Sequence, residues 1–219
     1  MPLALLALLL AVAHPRAQGS SPAADQPRPS ADSLARALQQ RYAGIRDFSA
    51  DFVHSYRGGV LRKQISERGT AAIKKPGMMR WEYSAPEKKA FVSDGRKIYS
   101  YIPQDRQVMV SSVPPDDQSP GPALFLAGKG NIVRDFTPSY VDATTPGTYA
   151  LKLVPKTPES DYDALVVIVD AGTLQIRGLT SFDQQGGESS FVFSNLKENR
   201  GLADKDFVFR IPRGVDVVT

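Results

Sequence analysis

The 219 residues contain no cysteine. Disulfides and thiolate metal sites are therefore excluded. No cysteine follows the N-terminal leader either, so the chain is not expected to be an acylated lipoprotein itself. Histidine is almost as scarce, with two residues, His14 and His54, and His14 falls in or beside the leader. No histidine pair can ligate a metal, and H-E-x-x-H, G-x-S-x-G and P-loop patterns are all missing. No later run reaches eighteen apolar residues, which excludes a membrane-crossing helix in the mature chain. Charge of one sign is lacking too. Lys+Arg 27 against Asp+Glu 23 leaves +4, a mild and scattered excess that suits solubility and does not call for a nucleic-acid partner.

What is present begins with MPLALLALLLAVA, a short apolar run ending in Ala11-Val12-Ala13. It reads as a secretory signal peptide, 1–13, with cleavage there or as late as Ala17. Residues 14–31, HPRAQGSSPAADQPRPSA, read as a disordered leader. Residues 32–219 then make a single domain, long enough for one all-β core.

Asp32 can cap a helix and Gly44 can end it. With Leu34, Leu38, Arg41/Tyr42 and Ile45 near one face, 33–43 reads as an amphipathic helix laid on a sheet. Phe48, Ala50 and Phe52 alternate with Ser49, Asp51 and Val53, giving a strand with an apolar inner face. His54 follows on that face and reads as a strand-end histidine with local hydrogen bonds. Gly58-Gly59 turns the chain into a second strand, 60–75. Met79, Trp81 and Tyr83 share one face of the next strand, 78–84. Pro76-Gly77 and Asp94-Gly95 mark turns, and strands follow at 89–93, 96–102 and 106–111.

The rhythm breaks over 111–131, where four prolines rule out a central strand. Asp116-Asp117 there reads as a solvated loop. Residues 122–128 read as a short helix, with Pro122 in its first turn, Gly128 at its end and apolar residues on every side. Alternation resumes with Tyr149, Leu151 and Leu153. Residues 165–169 are continuously apolar, Leu174/Ile176 and Phe191/Phe193 form pairs, and Phe207, Phe209 and Ile211 close the chain. About eleven strands with two helices give a mainly β fold, a strongly curved antiparallel sheet. Periodicity alone suits a packed sandwich or closed-barrel core, and would leave an exported all-β domain of no stated role.

One stretch says more. Lys75-Pro76, Trp81, Pro86, Val92-Ser93-Asp94-Gly95 and Tyr99/Tyr101 follow in order within residues 69–110. This run resembles the LolA family, the outer-membrane lipoprotein carrier proteins of the bacterial periplasm. The likeness extends over roughly 32–218. It is carried near the C-terminus by 193–199 and 207–217, and is weakest over 135–165.

The resemblance implies an unclosed β-barrel with helices covering its concave face. It implies a periplasmic carrier, not an enzyme, which needs no cofactor. A curved sheet with too few inner residues to fill it would leave a cavity for lipoprotein acyl chains. The partners implied are those acyl chains, an inner-membrane ATP-driven extractor and an outer-membrane receptor, with the carrier itself a monomer. Ligand-binding residues are then Phe48, Phe52, Met79, Trp81 and Tyr83 on the wall, with Leu124, Phe125, Leu126 and Ala127 as an apolar lid. The family usually has Arg before the conserved Pro, where it latches the lid. Lys75 stands there in this chain, a flexible point donor in place of a planar fork. A lipid- or glycolipid-binding or lipoprotein-sensing protein of the same fold is the alternative. A lipid-modifying hydrolase is a remote one, because the sequence shows no nucleophile–base pair.

Overall fold

The computed structural model describes residues 28–58, 64–114 and 122–219. The expected signal peptide, most of the leader, the Gly59 side of the first turn and Asp116-Asp117 lie outside these residues. Arg28 and Pro29 already pack on the fold. The Arg28 guanidinium sits 3.4 Å from the centre of the Tyr140 ring, whose hydroxyl donates to the Pro29 carbonyl at 2.9 Å.

Helix α1 (Ala31–Ala43) starts two residues before the expected boundary. Ser30, not Asp32, is its N-cap, and its Oγ accepts from the Ser33 N–H at 3.2 Å. Asp32 falls inside the first turn, where a carboxylate meets the positive end of the helix dipole. Leu34, Ala35 and Leu38 form the buried stripe that rests on the sheet.

The strands are β1 (Asp47–Arg57), β2 (Gln64–Lys74), β3 (Met78–Ala85), β4 (Lys89–Asp94), β5 (Lys97–Ile102) and β6 (Gln107–Ser112), then β7 (Phe136–Val141), β8 (Thr148–Pro155), β9 (Ala164–Asp170), β10 (Ile176–Phe182), β11 (Glu188–Glu198) and β12 (Asp216–Val218). Two short helices, α2 (Pro122–Leu126) and α3 (Ile132–Asp135), lie between β6 and β7. All twelve strands join one curved, unclosed sheet in the order β12-β6-β5-β4-β3-β2-β1-β11-β10-β9-β8-β7. Every pairing is antiparallel except β12 with β6, which is parallel.

The closing segment corrects the sequence reading. Phe207, Phe209 and Ile211 alternate but do not form a strand. Residues 204–207 are a 3₁₀ turn that buries Phe207, while Phe209 stacks on Tyr99 at 5.4 Å and meets the tilted Tyr101 ring at 5.6 Å. Arg80 holds this segment by donating to the Asp206 and Val208 carbonyls at 2.6 and 2.9 Å. Only then does the chain reach β12.

Register stacks the inward-facing residues in rows. Phe48, Ile73, Met79 and Ser93 make one row, and Ala50, Ala71, Trp81 and Phe91 the next. Phe193, Phe52, Gly69, Tyr83 and Lys89 make a third. Gly69 is required there. A Cβ would lie 2.0 Å from the Glu82 carbonyl oxygen and 2.8 Å from the Phe52 ring, so the ring lies directly over bare backbone. Across the sheet, Leu151, Leu165, Val167 and Leu179 complete the concave core.

Candidate functional site

The concave face is filled rather than hollow. The expected cavity is occupied by α1 and α2. The apolar gap left between α1, Phe125, Ile132 and β9–β10 measures about 10 Å³, at the lower limit for a single water, and a more polar pocket of about 230 Å³ opens beside it between Gln39, Tyr42, Lys75 and Gly128. Leu124, Phe125, Leu126 and Ala127 are all buried in the same cluster as Phe48, Phe52, Met79, Trp81 and Tyr83. Phe125 meets Phe136 edge-on at 5.7 Å. Helix α2 is five residues long instead of the expected seven, because Ala127 and Gly128 already turn away. All nine residues expected from the sequence to touch ligand therefore meet in one core.

The end of α2 is tied to its surroundings by a small set of polar contacts. The Gly77 N–H, in the β2–β3 turn, donates to the Ala127 carbonyl at 2.9 Å. The Tyr42 hydroxyl donates to the Leu126 carbonyl. Lys75 does not itself donate to α2. Its ammonium donates to the Tyr42 carbonyl at the end of α1 and lies 3.7 Å from the centre of the Tyr42 ring. Its stem runs beside Gly128, where φ is +80° and a Cβ would lie 2.3 Å from the Lys75 side chain. Only glycine permits this approach. Burial pulls the Lys75 amine down to about 8 and pushes the Tyr42 phenol well above its usual range. Tyr42 is the residue that sequence reasoning missed. Its place at the end of an amphipathic helix was visible, but its partner lies 84 residues away.

Beyond α2 the concave wall is aromatic. Phe52 packs edge-on against Trp81 and Tyr83 at 5.2 and 4.9 Å, and Trp81 meets Phe191 at 5.1 Å. Trp81 is 3% exposed, yet its indole nitrogen has no hydrogen-bond partner among the described residues.

The far end of this wall is polar. His54 is interior to β1, not at its end, and its partners are distant in sequence. Its Nδ1 lies 3.1 Å from a Glu67 oxygen and its Nε2 lies 2.9 Å from Ser189 Oγ. The ring stacks flat on Phe191 at 4.2 Å. Lys89 binds both Glu67 oxygens, at 2.7 and 2.8 Å. Burial lowers the His54 pKa, against the pull of Glu67 in the other direction. The Ser189–His54 contact is a pairing the sequence did not reveal. Ser189 sits inside β11, paired on both sides with Tyr56 and Ser181. Its backbone N–H belongs to that ladder and is not offered to an oxyanion.

The family model for the outer membrane lipoprotein carrier protein LolA matches residues 43–210 of this chain. The outer-membrane lipoprotein carrier protein of Pseudomonas paraeruginosa (strain DSM 24068 / PA7) is 31% identical over 153 residues, 68% of this chain and 70% of that protein. The protein of the same description from Chromohalobacter salexigens is 29% identical over 191 residues, 86% of each chain. A solved structure of an uncharacterized conserved protein from Thermus thermophilus shares the fold, with a TM-score of 0.52 and 13% identity over 84% of this chain and 98% of that one.

Proposed function

The chain belongs to the LolA family of outer membrane lipoprotein carrier proteins, and from that premise we propose that it carries lipoprotein acyl chains across the periplasm behind a movable lid. The lid is α2 with Ala127. Cargo comes from an inner-membrane ATP-driven extractor and leaves at the outer membrane, so the carrier needs neither cofactor nor catalysis.

The observation that supports this reading is how α2 is held. Its side chains fill the concave face, while few polar contacts bind its end. Burying Leu124, Phe125 and Leu126 is worth about 1.5–3 kcal/mol each, so opening exposes on the order of 5–9 kcal/mol of apolar contact. Withdrawing one sixteen-carbon acyl chain from water returns about 12 kcal/mol, at about 0.8 kcal/mol per CH₂. One chain therefore outweighs the lid it displaces, and the displaced lid side chains add apolar surface to the ligand. Without cargo the balance reverses and the lid shuts.

The test is purification of the mature protein from the periplasm, followed by native mass spectrometry and a transfer assay with membrane vesicles. Stoichiometric acylated protein on the carrier, and its release from vesicles, is the expected result. Release that proceeds equally well without the protein would remove the reading.

A further inference from the structure

At the polar end of the concave wall two donors, the Tyr83 O–H and the Trp81 N–H, meet no well-placed acceptor among the described residues. A carboxylate only accepts, so the His54 nitrogen facing Glu67 carries the hydrogen. Nε2 is then the acceptor and takes the Ser189 O–H. The Tyr83 hydroxyl lies 3.4 Å from the same Nδ1, where its hydrogen finds no lone pair. Burial keeps that phenol protonated. Lys89 bonds both Glu67 oxygens, and its partly exposed ammonium lies 4.4 Å from the centre of the Tyr83 ring. Trp81, two residues before Tyr83 on the same face of β3, leaves its indole N–H unpartnered among the described residues. A buried donor without an acceptor is costly and calls for an explanation.

Charge narrows what the missing acceptor is. With His54 neutral, Glu67 and Lys89 cancel, so an anion or a cation would arrive uncompensated in a largely buried place. The fitting group is a neutral acceptor attached to something apolar. We propose that Trp81, Tyr83 and Lys89 form a carbonyl-binding subsite that takes the ester or amide oxygens of an acylated ligand, whose chain then runs along the wall toward the lid. This rests on the carrier reading above and adds which part of the ligand goes where.

The chain's single tryptophan is Trp81, so its fluorescence reports the wall directly. The probes are palmitoyl lysophosphatidylcholine and its hexadecyl ether analogue, which share tail and head and differ in the carbonyl. The ester should bind about tenfold tighter, the size of one charge-assisted hydrogen bond. In Tyr83→Phe, and in Glu67→Gln combined with Lys89→Met to keep the charge balanced, that preference should fall toward one. A bromine placed near the carbonyl should quench Trp81 more than one placed near the chain tip. Equal binding of ester and ether removes the subsite and leaves the carrier reading standing. Binding of neither removes both. A preference that survives both variants, or quenching strongest from the chain tip, also overturns the assignment.

Discussion

Helices α1 and α2 lie on the same concave face and bury the same kind of side chain, but they are held differently. Helix α1 is thirteen residues long and capped by Ser30. Arg41 forks onto Glu198 at 2.9 and 3.1 Å and also donates to the Thr173 carbonyl at 2.7 Å. Gln39 accepts the Ile132 N–H at 2.8 Å. Helix α2 has five residues, Pro-Ala-Leu-Phe-Leu, and no polar side chain at all. A helix that short has no stability of its own. Apart from the Tyr42 and Gly77 bonds to its end, what holds it is packing, and packing is indifferent to which apolar partner supplies the contact. Burial alone therefore does not distinguish the two helices, whereas directional contacts do.

The strongest test of that contrast places the same charge in each helix. Leu38→Glu in α1 should unfold the domain, seen as loss of the β spectrum in circular dichroism. Phe125→Glu in α2 should keep the spectrum and abolish acyl-chain binding. Unfolding of both would erase the distinction. Truncation is milder. Leu34→Ala should cost about 2–5 kcal/mol in urea unfolding. Leu126→Ala should cost less globally and tighten binding of the palmitoyl probe, because opening the lid becomes cheaper.

Tyr42→Phe removes one hydrogen bond between the helices, worth about 1 kcal/mol. Amides of 122–128 should then exchange about fivefold faster while those of 31–38 do not change. The smallest effect concerns pH. Burial holds Lys75 at about 8 against an ordinary 10.5. Between those values the shut protein binds fewer protons than one whose Lys75 has returned to water. Closure therefore gains as pH rises through that window and is flat below about 8. Probe affinity should weaken from pH 8 to 10.5, and Lys75→Met should lose that dependence.

Much of this was legible in the chain. The alternation of Phe48, Ala50 and Phe52 and of Met79, Trp81 and Tyr83 placed those side chains on one face, since strand geometry leaves no other choice. The all-apolar run at 122–127 stood out as odd for a surface excursion, and it is the segment that fills the concave face. Other features were not legible. Phe207, Phe209 and Ile211 alternate like a strand, but Arg80 captures their carbonyls from β3 and the ladder belongs to β12. Ser30 outcompeted Asp32 as the cap because the helix starts two residues earlier, against a segment that reads as leader.

The sequence by itself determined most of the strands, their inner faces, the apolar segment at 122–127 and the family, because these depend on local period and on the order of landmarks. Tertiary structure alone decided that the Lys75 ammonium bonds the end of α1, that Tyr42 completes the tie to α2, and that His54 meets Glu67 and Ser189. Each of these joins residues from 13 to 135 positions apart. The His54 contacts follow from how β1, β2 and β11 are laid side by side, the other two from where α1 and α2 rest on the concave face, and no local pattern encodes that placement.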